Sequence, residues 1–203
     1  MDKLKVVLAT QNLHKLKEIT KILESLPIEW VCLKEFSHIQ VAEETGFSFR
    51  ENALLKAHAI AQQTGFVTVA DDSGFSVDAL EGRPGIYSAR YAGEGASDAE
   101  NLKKVLKEYL SSPMKNINKK SSFICALAWV DLQKNIQKVF EGQVQGEIIE
   151  VPVGENGFGY DPLFYFPSLN KTFAQLSAEE KNKLSHRAIA FLRLKRYLLE
   201  TYF

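Results

Sequence analysis

The spacing of apolar residues in the first third of the chain predicts alternating strands and helices. An apolar run over residues 4–10 indicates a buried strand, and leucines and isoleucines then recur at helical spacing up to Leu26. Further strands are predicted over 30–33 and 66–70. Two adjacent aspartates follow the last of these runs directly, and we expect them to mark the end of that strand.

Three predicted helices begin with the same capping pattern. Ser48, Ser97 and Ser177 are each followed three residues later by a glutamate. In this pattern the serine hydroxyl and the glutamate carboxylate accept hydrogen bonds from backbone N–H groups at the start of a helix. The first of these helices is expected to end near Gly65, and an amphipathic helix is predicted over 185–199.

The second half of the chain has a different order of predicted elements. A polar segment over 111–122 is the candidate boundary between two lobes, and strands predicted over 123–132 and 136–141 form a hairpin. Strands that alternate with helices and later pair as a hairpin are typical of an α/β or α+β protein with a mixed sheet. The length of 203 residues suits one domain, 1–203, of one or two lobes.

Charge and cysteine content narrow the class of protein. The chain has 25 lysines and arginines against 25 aspartates and glutamates, a balance that argues against a nucleic-acid or membrane-surface binder. Apolar runs are too short to span a bilayer, and the first residues lack a signal-like apolar region. Cys32 and Cys125 lie in apolar runs, which predicts buried reduced thiols. A cytoplasmic location is expected.

The exit of the first strand is a candidate phosphate site. Thr10, Asn12 and Lys15 flank the start of a predicted helix, where unpaired N–H groups and the helix dipole attract anions. The same residues also suit an ordinary helix cap with a surface lysine.

Two acidic pairs are candidate cation ligands. Glu43 and Glu44 precede a predicted helix, and Asp71 and Asp72 follow a predicted strand. Oxygen ligands without a nearby histidine or cysteine favour Mg²⁺ or Mn²⁺ over zinc. Either pair alone also fits a solvated turn, but together with a phosphate site they are chemically complementary.

A later segment, over 158–161, suits a nucleobase. Phe158, Tyr160 and Asp161 combine aromatic faces with one carboxylate, which can stack on a base and accept its N–H groups. A packed turn with Phe158 in the core is the alternative. Lys181, His186 and Arg187 lie around another predicted helix start, where a charged helix cap is the alternative.

Together these segments resemble the inosine triphosphate pyrophosphatase family, which removes non-standard purine nucleoside triphosphates from nucleotide pools. The matching stretches follow the family's order, span nearly the whole chain and are VVLATQNLHKLKE, EETGFSFRENALLKA, ADDSGFSVDALEGRPGIYSARYAG, GFGYDPLF and LSHRAIA. One departure is Gln11, where the family usually has glycine. A side chain there can reshape the phosphate loop.

The resemblance implies a Mg²⁺-dependent reaction, with Mn²⁺ as a possible substitute, that converts ITP, dITP and XTP to the nucleoside monophosphate and pyrophosphate. Asp72 is expected to bind the metal and to activate water, with support from Asp71. Glu44 completes the metal site, in preference to Glu43.

The resemblance also assigns the substrate contacts. Residues expected at the triphosphate are Thr10, Gln11, Asn12, Leu13, His14, Lys15 and Lys56, and Ser73 is also expected to contact the substrate. Residues expected around the base and sugar are Phe158, Gly159, Tyr160, Asp161, Lys181, His186 and Arg187. Because Arg187 has only hydrogen-bond donors, it is the candidate reader of the C6 oxygen. The implied fold is an elongated mixed sheet flanked by helices, with two lobes, an active-site cleft between them, and a homodimeric assembly.

Two other functions stay open. One is a nucleotide-sensing module that binds without cleavage, although the presence of Glu44, Asp71 and Asp72 argues against it. The other is a hydrolase of other modified nucleoside triphosphates, which a substrate panel would distinguish.

Overall fold

The computed structural model describes residues 3–10, 13–36 and 38–203. Its helices are α1 (Leu13–Ile22), α2 (Phe49–Thr64), α3 (Asp98–Ser111), α4 (Ala178–Leu184) and α5 (His186–Thr201). Its strands are β1 (Leu4–Leu8), β2 (Ile28–Cys32), β3 (Val67–Val77), β4 (Lys120–Asp131), β5 (Ile136–Ile148), β6 (Phe164–Phe166) and β7 (Lys171–Thr172). Short 3-10 helices occur at Leu33–Glu35, Asp78–Leu80, Gly85–Arg90, Asp161–Leu163, Pro167–Leu169 and Phe173–Gln175.

The strands form one mixed sheet in the order β2-β1-β3-β4-β5-β6-β7. Strand β1 pairs in parallel with β2 and β3, whereas β6 is antiparallel to both β5 and β7. The early βαβ segment supplies the parallel part, because parallel neighbours need a crossover connection. The predicted mixed α/β architecture is therefore confirmed.

The chain divides into two compact units. The first combines the described residues of 1–72, 125–142 and 187–203, and the second combines 73–124 and 143–186. The polar segment 111–122, the candidate lobe boundary, lies wholly within the second unit.

Both faces of the sheet are covered in the first unit. One face packs against α1 and α5 through large side chains that include Ile19, Leu23, Phe191 and Trp129. The other face is lined with small residues, because alanines of α2 meet alanines of β3 and β4. Small residues on both sides let the helix lie close to the sheet, which positions any longer side chain on that helix over the strands.

The second unit has an aromatic core. Phe75, Phe123, Phe164 and Phe173 are all buried, and the rings of Phe123 and Phe173 stack with centroids 5.6 Å apart. Offset and edge-on ring pairs of this kind add to the free energy gained by burying the side chains.

The three predicted helix starts are confirmed, and two of the three predicted capping boxes are complete. Ser97 and Ser177 form complete capping boxes for α3 and α4. Ser48 accepts the Glu51 N–H at 3.2 Å, but the Glu51 carboxylate accepts instead from the N–H of Phe47 at 2.7 Å. Helix α2 ends at Gly65, which has a φ of 71° and donates its N–H to the last turn.

Strand β3 corrects one expectation. The apolar pattern predicts a strand end at Asp71 and Asp72, but β3 continues through both residues to Val77. Buried cations pair with both carboxylates, so the charges do not terminate the strand.

Cys32 is half-buried and Cys125 is buried, and both are thiols. Within the described ranges, no helix has the length and hydropathy required to cross a membrane.

Candidate active site

Asp71 and Asp72 lie on opposite faces of the sheet. Successive side chains of a strand point to opposite sides, so adjacent carboxylates need not face each other. Asp71 is directed to the face covered by α1 and α5, where it meets Lys15 and Arg187. Asp72 is directed to the face covered by α2, where it meets Lys56.

The Asp71 group is a buried charge network. Lys15 Nζ donates to Asp71 Oδ2 at 2.7 Å, and Arg187 Nε lies 3.7 Å from the same oxygen. The guanidinium of Arg187 also donates to the carboxylate of Glu18 on α1. Burial alone would raise the pKa of Asp71, but the charges of Lys15, Arg187 and Lys56 hold that pKa well below its usual range. Asp71 is therefore ionised and fixed.

The Asp72 group connects three segments of the chain. Lys56 Nζ donates to Asp72 Oδ1 at 2.9 Å and to Glu44 Oε1 at 2.8 Å. Asn52, one helical turn before Lys56, donates to Asp72 Oδ2 at 3.3 Å. Its own amide oxygen accepts from the N–H of Gly46 at 2.8 Å. One face of α2 thus holds Asp72 together with the segment that carries Glu44.

Burial and charge oppose each other in this group. Burial lowers the pKa of Lys56, but the carboxylates of Asp72, Asp71 and Glu44 outweigh it and raise that pKa above its ordinary value. Burial raises the pKa of Asp72, and the positive charge of Lys56 only partly offsets this effect. The lysine is therefore protonated.

The Asp72 group fits a divalent cation bound through oxygen. Glu44 Oε1 and Asp72 Oδ1 converge on a single cationic atom, Lys56 Nζ. Among the described residues, no cluster of three or more His, Cys, Asp or Glu side chains forms a complete metal cage. Two carboxylates with the remaining positions left to phosphate and water are the arrangement that Mg²⁺ uses in phosphate-binding sites. Glu43 is exposed, whereas Glu44 is directed towards Asp72 through Lys56.

A separate polar group lies in the second unit. Asp161 Oδ2 accepts from Lys181 Nζ at 2.5 Å and from the backbone N–H of Phe158 at 2.9 Å. Lys181 Nζ also lies 4.8 Å from the centroid of the Phe158 ring. Gly157 permits this packing, because its φ is 79° and a Cβ there would approach Asp161 Oδ2 to 2.0 Å. A carboxylate, an ammonium and a half-buried aromatic ring are therefore held together.

Two residues expected around the base lie inside the core of the second unit. Tyr160 is buried, stacks on Phe75 with centroids 5.2 Å apart, and donates its hydroxyl to the carbonyl oxygen of Ser88 at 2.7 Å. His186 is also buried, and its ring stacks on Phe123 at 4.9 Å. Gly159, directly before Tyr160 in sequence, donates its N–H to Asp98 Oδ2 at 3.0 Å.

The structure describes some of the remaining predicted site residues. Gln11 and Asn12 lie outside the described residues, and the side chains of Leu13 and His14 are likewise not among those described. Thr10 is half-buried just after β1, and Ser73 is half-buried within β3 directly after Asp72.

Sequence reasoning missed two contact residues, Asn52 and Glu18. Helical spacing was the available signal: Asn52 is four residues before Lys56 on α2, and Glu18 is three residues after Lys15 on α1. Each shares a helix face with a residue that the analysis had singled out.

Fold and site together define an α/β protein with lysine-neutralised carboxylates of the kind that bind phosphate groups with a divalent cation. The sequence profile of the Ham1 family matches residues 6–197. This chain belongs to the Ham1 family.

Three related proteins match this chain over nearly its full length. A Bacillus subtilis protein named dITP/XTP pyrophosphatase is 46% identical over 195 residues, which are 95% of this chain and 96% of that protein. A Bacillus cereus protein of the same name is 44% identical over 197 residues, 96% of this chain and 95% of that one. The HAM1 protein of Coxiella burnetii superimposes with a TM-score of 0.90 at 42% identity, covering 98% of this chain and all (100%) of its own.

Proposed function

We propose that this protein is a nucleoside-triphosphate pyrophosphohydrolase that acts on ITP, dITP and XTP. The observation that carries the proposal is the convergence of Glu44 and Asp72 on Lys56 at 2.8 and 2.9 Å. This arrangement offers both a cation site and a phosphate-binding ammonium. The names of the relatives support the choice of substrates.

Each proposed role follows from the contacts of a side chain. Asp72, held by Lys56 and Asn52, would accept the proton of the water that breaks the anhydride between the α- and β-phosphates. Lys15, in the first turn of α1, would attract the phosphates to the N-terminus of that helix. Asp71 would fix Lys15 and Arg187 in place. Mg²⁺, held by Glu44 and Asp72, would polarise the phosphate groups.

The base would be selected by the polar group of the second unit. Phe158 offers a ring for stacking, Asp161 an acceptor and Lys181 donors. Arg187, the candidate reader of the C6 oxygen, pairs in this structure with Glu18 and Asp71. Reading of that oxygen by Arg187 stays a prediction, and Lys181 is the second candidate.

The test is pyrophosphate release from a panel of nucleoside triphosphates with Mg²⁺. We expect high kcat/KM for ITP, dITP and XTP, low values for GTP and almost none for ATP. Binding of ITP without any pyrophosphate release would favour the sensing module. A preference for pyrimidine or methylated nucleotides would replace the purine assignment.

Two further properties belong to the same proposal. The protein is expected to form a homodimer, which light scattering would report as twice the mass of one chain. It is also expected to act in the cytoplasm, where nucleoside triphosphates are made and consumed.

A further inference from the structure

Lys56 already supplies a positive charge to both carboxylates of the proposed metal site. Its ammonium donates to Glu44 Oε1 and to Asp72 Oδ1, and no more than 11% of its side chain is exposed. Two of the three ammonium protons are therefore used by the oxygens that would ligate a divalent cation.

An ammonium and a divalent cation compete for these two oxygens, because both need their lone pairs and negative charge. A cation bound to Glu44 and Asp72 would place two positive charges within ion-pair distance of a third, in a site with little water to screen them. Departure of Lys56 from at least one of the carboxylates would relieve this repulsion when both bind metal. Its flexible four-carbon side chain allows this movement without displacement of α2, which is anchored by the buried residues Ala53 and Ala57.

We propose that Lys56 competes with the divalent cation for Glu44 and Asp72, and that the triphosphate relieves this competition by giving the ammonium another anionic partner. The inference rests on the proposed function for the identity of that partner. It makes cation binding and triphosphate binding cooperative. Because such coupling is reciprocal, the cation strengthens triphosphate binding by the same factor.

The direct test is Mn²⁺ binding in the absence of nucleotide, measured by calorimetry or electron paramagnetic resonance. Lys56→Met removes the competing ammonium and should raise Mn²⁺ affinity by about tenfold or more, whereas Lys15→Met should change it by about threefold or less. Lys15 is the matched control because its ammonium pairs with the adjacent carboxylate, Asp71, at 2.7 Å. If Lys56→Met binds Mn²⁺ no more tightly than Lys15→Met, the competition is refuted.

A second measurement tests whether the triphosphate releases Lys56 from the two carboxylates. Mn²⁺ affinity is compared with and without a saturating α,β-methylene analogue of ITP, in wild type and in the variant. The enhancement should be larger in wild type than in Lys56→Met, by about fivefold or more. Equal enhancement in the two proteins would contradict the release step.

Two precautions keep the test decisive. If Lys56→Met does not fold, Lys56→Gln replaces it, since the neutral amide keeps donors for both carboxylates. Pyrophosphate release by wild type is measured separately. Absence of release together with a gain in Mn²⁺ affinity in the variant would refute the proposed function and leave the competition for the carboxylates standing.

Discussion

At the scale of single residues, adjacent aspartates have different surroundings because they lie on the same strand and point to opposite faces of the sheet. Asp71 is surrounded by positive charge, whereas Asp72 shares one lysine with a second carboxylate, that of Glu44. The same residue type can therefore serve as a fixed anion at one position and as a reactive group at the next.

Substitution of Asp72 tests the reactive role. Asp72→Asn keeps the shape of the side chain but removes its charge and basicity, so we expect kcat/KM for ITP to fall by about 10²–10⁴-fold or more. Asp78→Asn, which changes an exposed carboxylate just after β3, is the control and should retain activity. Wild-type turnover by Asp72→Asn at saturating Mg²⁺ would show that another group activates water.

Substitution of Asp71 tests the fixed anion through the pH dependence of stability. Its pKa is lower in the folded protein than in the unfolded chain, so the folded state binds fewer protons and its stability rises with pH. That contribution is complete above the unfolded pKa and is lost as the pH falls towards the folded pKa. The free energy of unfolding of wild type should therefore drop below about pH 5, and more steeply than that of Asp71→Asn. The unfolding free energies are measured by urea denaturation at a series of pH values. An equal dependence on pH in the two proteins would contradict the assignment.

At the scale of elements, helix α2 carries the side chains that contact Asp72. It begins at the Ser48 cap and packs its alanines on the sheet, and Asn52 and Lys56 occupy the same face one turn apart. The packing of the helix therefore decides where the ammonium of Lys56 lies.

Asn52→Leu tests whether α2 holds Asp72 and the segment that carries Glu44. The change removes a buried donor to Asp72 and leaves the N–H of Gly46 without its acceptor, so we expect a loss of about 1–3 kcal/mol in unfolding free energy. Gln62→Leu, at an exposed position of the same helix, is the control. Activity should also fall, because the segment carrying Glu44 is no longer fastened to α2. Equal stability of the two variants in chemical denaturation would contradict this role.

Features that depend on neighbouring residues were predicted from the sequence better than features that depend on residues far apart in the chain. The caps at Ser97 and Ser177 were predictable because each needs only residues within one turn. The continuation of β3 through Asp71 and Asp72 was not, since it depends on Lys15 and Lys56, which come from two separate helices. The acidic residues of the site were predicted from their positions next to predicted elements and from the family resemblance, whereas their ion pairs required the tertiary structure.

At the scale of the whole molecule, the first unit is assembled from three segments far apart in sequence. The last of them is joined to β4 through Tyr202, whose hydroxyl accepts from Trp129 Nε1 at 3.2 Å and donates to Asp131 Oδ2 at 2.9 Å. The same ring lies under the ammonium of Lys134 at 3.9 Å. These contacts fasten the end of α5 to the sheet.

Tyr202→Phe tests this connection. Loss of the hydroxyl removes one hydrogen bond from a buried indole N–H and one from Asp131, so the unfolding free energy should fall by about 1–3 kcal/mol. Tyr87→Phe, at a residue that is 54% exposed, is the control and should be close to wild type. Thermal and urea denaturation of the three proteins would measure the difference, and equal stability would show that the hydroxyl contributes nothing.

The interleaved first unit also has a consequence for synthesis on the ribosome. Leu23 and Trp129 share one buried cluster with Phe191 and Leu194 of α5, so this cluster is incomplete until that helix has been made. The nascent chain therefore carries Glu44, Lys56 and Asp72 long before the unit that holds them can close. Closure over such sequence distances is slow and leaves time for aggregation. Assembly of the site is expected to follow translation, and a chain stalled before α5 should be a substrate for chaperones.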